Sequence, residues 1–137
     1  MGNRWQKAQK RTKIIACVVL GVTVVALAGG LYLLSALRNY KNDVAAIRVQ
    51  NVDLAAVGDG EYFGDCDTGF VGARVRVVVK NHRITEIELL EHKNGRGAAA
   101  ESLPDEIIRT QRIDVDAVSG ATSSSKVIQE AIYKALN

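Results

Sequence analysis

Twenty-four consecutive residues, Ile14 to Leu37, contain no ionisable side chain except Cys17 and the phenol of Tyr32. Coiled as a helix they extend about 36 Å, more than the roughly 30 Å of a bilayer's hydrocarbon core. The segment therefore predicts a transmembrane helix at 14–37, with a basic tail at 1–13 before it and a connector at 38–51 after it. About 100 residues are left over, enough for one folded domain, placed at 52–137.

Charge is distributed around this segment rather than along the chain. Residues 1–41 hold Arg4, Lys7, Lys10, Arg11, Lys13, Arg38 and Lys41 with no acid, a balance of +7, whereas residues 42–137 carry −4. The overall charge of +3 thus belongs to the flanks of the apolar run, and a mildly acidic domain is a poor match for nucleic acid. Five basic residues before the run against two after it put the N-terminus in the cytoplasm and the domain on the extracytoplasmic side of the cell membrane. Trp5 and Tyr40 are placed as interfacial anchors. A cleaved signal peptide is the competing reading, because Ala28-Gly29-Gly30 supplies small residues at a cleavage site, but apolar residues continue past it as a span requires. Ile14-Ile15-Ala16-Cys17 has the look of a lipoprotein box and stands on the wrong side of the apolar run. Either surviving reading exports the domain.

With 47% hydrophobic residues, 24% charged and a single Pro, the composition is neither disordered nor collagen-like. Two cysteines, one of them in the span, cannot make a disulfide framework. Cys66, in Gly64-Asp65-Cys66-Asp67, reads as a loop thiol, with a metal or redox thiol as the alternative.

Hydrophobic periodicity outlines the domain. Gly58-Asp59-Gly60 is a turn and Glu61-Tyr62-Phe63 a short strand. Between Phe70 and Lys80 the residues Val71, Ala73, Val75, Val77 and Val79 alternate with Gly72, Arg74, Arg76 and Lys80, the period of a half-buried strand. Asn81-His82 turns the chain into a second strand, Arg83 to Glu91, with Ile87 and Leu89 on one face and Glu86 and Glu88 on the other, so the pair predicts an antiparallel hairpin. His92 to Ala100 is a loop rich in Gly and Ala that lets backbone approach a partner closely. Ser102 and Pro104 start a helix to about Arg112, and Ile113 to Val118 predicts a strand. Ser124, Val127, Ile128, Ala131, Ile132, Ala135 and Leu136 recur at helical spacing and mark a closing amphipathic helix. The fold class is α+β, a small antiparallel sheet packed with helices and preceded by one transmembrane helix.

The chemistry concentrates in Asp116-Ala117-Val118-Ser119-Gly120-Ala121-Thr122-Ser123-Ser124-Ser125. Gly120 supplies an unusual backbone angle and a hydroxyl residue caps the helix on the simplest view. Five hydroxyl residues exceed what a cap needs, and the free N–H groups and positive dipole end of a helix start favour a phosphate. Neither glycine-rich nucleotide-binding pattern is present, so the residues leave both an ordinary cap and an anion site open. No His, Cys or carboxylate cluster has metal-ligand spacing and no Ser-His-Asp arrangement is evident, so neither a metal nor a catalytic residue is assigned.

Asp116-Ala117-Val118-Ser119-Gly120-Ala121-Thr122 resembles the D-x-x-[ST]-G-A-T signature of FMN-binding domains, as found in the G subunit of the Rnf complex and the C subunit of the sodium-translocating NADH:quinone reductase. Asp59-Gly60-Glu61-Tyr62-Phe63-Gly64 is similar to that family's opening D-G-x-Y-x-G, and the likeness extends over about residues 52–136. It implies that a flavin transferase esterifies the phosphate of FMN to the hydroxyl of Thr122. It also gives Asp116 and Ser119 to the transferase's recognition sequence, while Gly120 and Ala121 admit the phosphate to the backbone beside Ser123. Tyr62, Leu90 and His92 are the expected contacts to the flavin ring. The family's H-x-E-T-P-G-L-G loop is absent, since Lys93-Asn94-Gly95-Arg96-Gly97 follows His92, and the chain is shorter than those subunits, which points to a stand-alone carrier. The resemblance implies an electron-transfer flavoprotein with membrane redox proteins or quinone-linked donors as partners. A flavin-dependent reductase of a small extracytoplasmic substrate, or a flavin-free exported binding module, are the alternatives.

Overall fold

The structure, a computed structural model, describes the backbone of residues 2–137 and the side chains of residues 13–137. Trp5 and the basic residues Arg4, Lys7, Lys10 and Arg11 have side chains outside the described residues. The chain divides into two units, Met1–Asn39 and Tyr40–Asn137. The first is most of a helix, α1 (Gly2–Ala46), in which the apolar residues from Ile14 to Leu37 have exposed side chains apart from the half-buried Ala36. Within it Lys13–Ala46 has the length and apolarity of a membrane span, a test that signal sequences also pass.

The second unit is an α+β fold. Strands β1 (Gly60–Asp67), β2 (Gly72–Lys80) and β3 (Arg83–Lys93) form one antiparallel sheet in that order. A 3-10 turn (Ala98–Ser102) leads into α2 (Leu103–Thr110), and α3 (Thr122–Leu136) closes the chain. The valine alternation of β2 has the expected result. Val75, Val77 and Val79 are fully buried under α3, together with Val127, Ile128, Ala131 and Ile132, whereas α2 covers β3 through Leu103 and Ile107. On the other face of the sheet Arg76 is held by Glu86 at 2.6 Å, Glu88 at 2.7 Å and Glu61 at 3.4 Å. The β2–β3 turn has positive φ at both Asn81 (52°) and His82 (56°), the backbone that matches a two-residue hairpin to the twist of its strands.

Gly64 sets the position of α3. A Cβ there would meet the Ala131 carbonyl oxygen and stand 2.7 Å from the Ala135 nitrogen and 2.9 Å from the Ala135 Cβ, so only glycine lets the helix backbone lie on β1.

Two segments differ from what the sequence predicts. Ile113 to Val118 joins no strand. Side chains replace the ladder, because Asn51 Oδ1 accepts from the N–H groups of Ile113 (2.8 Å) and Asp114 (3.2 Å), and Gln129 Nε2 donates to the carbonyls of Ile113 (2.8 Å) and Val115 (2.7 Å). Cys66 belongs to strand β1 rather than a loop and faces the core, where burial pushes its thiol above the usual range. Tyr40 packs against the core of the second unit, edge-on to Phe70 with centroids 5.4 Å apart.

Candidate functional site

The turn before α3 is built from the residues that stood out in the sequence. Gly120 has φ +78°, a left-handed conformation that favours glycine. Ser125, fully buried, donates through Oγ to the Ala121 carbonyl at 2.9 Å and accepts from the Val118 N–H at 3.0 Å, tying the turn to the first coil of the helix. Ser124 is buried as well. The Ser125 hydroxyl is therefore spent on the fold.

The residue in the N-cap position of α3 is Ala121, and no side chain among the described residues caps the helix. The amides of its first turn consequently have no intrahelical acceptor and no capping oxygen, which leaves them and the positive dipole end free for an anion. Thr122, the first helical residue, is exposed, and its hydroxyl has no hydrogen-bond partner among the described residues.

These groups open onto a cavity of about 330 Å³. Gly120, Ala121, Thr122, Ser123 and Ser124 form one part of the lining, and Gly95, Arg96 and Gly97 form another. Tyr40 and Val71 complete it. The two loops touch, for a Cβ on Gly97 would stand 2.6 Å from Ser124 Cβ. Arg96 is the one charged residue of the lining, and no carboxylate offsets it. An exposed hydroxyl, a cation, uncapped amides and a volume within the usual range of small-molecule sites suit a phosphorylated ligand with an apolar portion.

Of the residues singled out from sequence, Gly120, Ala121, Thr122 and Ser123 are brought together here. Asp116 and Ser119 are exposed and stand outside the lining. So do the three expected ring contacts. Tyr62 is half-buried and donates its hydroxyl to the Gly58 carbonyl at 2.8 Å. Leu90 is the extra residue of a β-bulge between Glu91, opposite Arg74, and Leu89, opposite Val75, and is 45% exposed. His92 has a side chain only 4% exposed, with Nδ1 2.9 Å from Glu101 Oε1 and 3.1 Å from Asn94 Nδ2, and Nε2 buried without a partner among the described residues.

Tyr40, Val71 and Arg96 were not legible as site residues. Arg96 stood between two glycines, Gly95 and Gly97, a spacing that signals close backbone approach and was the only available hint. Among the described residues no group of three or more His, Cys, Asp or Glu is arranged to hold a metal.

No curated protein matches the chain. Residues 69–137, which include β2, β3, α2, the glycine turn and α3, match the family model described as the FMN-binding domain. With half of its length matched, and with a phosphate-competent helix start at the end of that match, the chain belongs to the FMN-binding domain family.

Proposed function

We propose that this FMN-binding protein is a membrane-anchored, extracytoplasmic electron carrier whose FMN is esterified to Thr122. The observation that carries the reading is the Thr122 hydroxyl, exposed and unbonded on an uncapped helix start inside a cavity. A phosphate on that oxygen lies against free first-turn amides, with Arg96 as the nearby cation. Esterification replaces the Oγ1–H bond by Oγ1–P. Free phosphate would have to expel water, so the donor is a flavin phosphate held in an anhydride. The anhydride P–O bond breaks, its other phosphate leaves, and the hydroxyl proton passes to a base of the flavin transferase. Asp116 and Ser119, exposed and away from the cavity, are suited to contact that transferase rather than the flavin.

When bound, the flavin supplies the redox chemistry. This chain attaches the phosphate, excludes water from the buried side of the turn and orients the ring. The basic residues before Ile14 favour a cytoplasmic N-terminus, a span at 14–37 and export of the domain, where membrane redox proteins or quinone-linked donors are the partners. The test is Thr122→Ala against Thr122→Ser in a host that contains the transferase, read by intact mass. Thr122→Ala is expected to carry no covalent flavin and Thr122→Ser to be partly loaded. Denaturation-resistant flavin on Thr122→Ala sinks the assignment. Protease added to spheroplasts is expected to digest the domain, and digestion only in inverted vesicles would reverse the orientation.

A further inference from the structure

We propose that Tyr40, which lies upstream of the family-matched segment, is the residue against which the flavin ring rests. The inference builds on FMN occupying the cavity at Thr122. The lining divides by chemistry. Thr122, Ser123, Arg96 and the α3 amides suit the phosphate and hydroxylated chain, and Tyr40 and Val71 suit the apolar tricyclic ring. Tyr40 supplies the only aromatic side chain of that lining, and planar aromatic systems gain most from an aromatic partner in offset or edge contact.

Tyr40 is also held in place beforehand. Its ring meets Phe70 at 5.4 Å with an interplanar angle of 70°, an edge-to-face pair, and its body is packed on the core. An edge-to-face contact uses at most one face of one ring, so at least one face of Tyr40 is free of Phe70. A side chain already immobilised loses little further rotamer freedom when a ligand settles on it. Its phenol has no hydrogen-bond partner among the described residues, in contrast to Tyr62, whose hydroxyl is engaged by Gly58.

The test is the emission of the bound flavin. An excited flavin takes an electron from a touching phenol or indole and recovers without emitting when the electron returns, whereas a phenyl ring does not quench it in this way. Full-length protein in detergent, loaded in the transferase-containing host, is compared with Tyr40→Phe, Tyr40→Leu and Tyr40→Trp at equal flavin content by intact mass. Wild type and Tyr40→Trp are expected to be dark, and Tyr40→Phe and Tyr40→Leu several-fold brighter. A residue that merely supports the fold would leave Tyr40→Phe as dark as wild type, and that result overturns the proposal. The same variants are made in a Thr122→Ala background and titrated with free FMN. An unflavinylated wild type then counts against the ester while the emission contrast still decides on Tyr40, and emission that Tyr40→Phe does not raise in either background overturns Tyr40 alone.

Discussion

Gly97 lies so close to Ser124 that a methyl group on it would meet the serine Cβ at 2.6 Å and collide with its hydroxyl. The loop after β3 and the first turn of α3, 27 residues apart in the chain, are thereby locked together where they line the cavity. Ser124 is itself buried, so neither partner has room to retreat.

Gly97→Ala is therefore expected to destabilise the domain by about 1–3 kcal/mol through overpacking and to reduce flavin loading. Removing the opposing atoms with Ser124→Gly should recover part of that loss, so the double variant is more stable than the sum of the single effects predicts. Denaturant midpoints of the four proteins in detergent check this, and strict additivity would count against the contact.

Gln129 is 2% exposed and its amide nitrogen serves two carbonyls, those of Ile113 and Val115. Gln129→Leu preserves bulk but strands both acceptors, at a cost of about 1–3 kcal/mol. The melting temperature should fall by roughly 4–8 °C for each kcal/mol lost in a domain of this size. Faster amide exchange at residues 113–118 is expected, with β2 unaffected.

Asp116 is exposed and makes neither an ion pair nor a hydrogen bond among the described residues. Its replacement by Ala should change stability by less than about 0.5 kcal/mol yet lower covalent flavin, if the transferase reads it. Loading equal to wild type in the same host would remove that role.

Burial raises the Cys66 thiol above its ordinary range, with desolvation as the largest cause. The folded protein accordingly favours the protonated thiol, and it loses stability as pH rises through the range where the unfolded chain's thiol ionises. In a Cys17→Ser background, iodoacetamide at mildly alkaline pH should modify Cys66 far more slowly in the native protein than after denaturation. Equal rates would show that Cys66 is accessible.

Local pattern alone established much of this molecule. The uncharged run from Ile14 to Leu37, the two-fold alternation of Val75, Val77 and Val79 and the helical spacing of Val127, Ile128, Ala131 and Ile132 are each one-dimensional signals, because burial on one face imposes a period on the residues that meet it. Gly120 and Thr122 were legible for the same reason, since a left-handed turn and a helix start are local events. The alternation at Ile113 to Val118 misled because period two reports an extended backbone and not the partner of its N–H and C=O groups. Those partners are the side chains of Asn51 and Gln129, which only the folded chain brings there. Tertiary structure likewise decided that α3 begins without a cap, that Leu90 sits on a bulge and His92 turns to Glu101, and that Tyr40 and Arg96 line the cavity with Thr122. Such a cavity joins positions more than 80 residues apart, Tyr40 and Thr122 among them, and no spacing rule within one element records a contact between surfaces that meet only when the core closes.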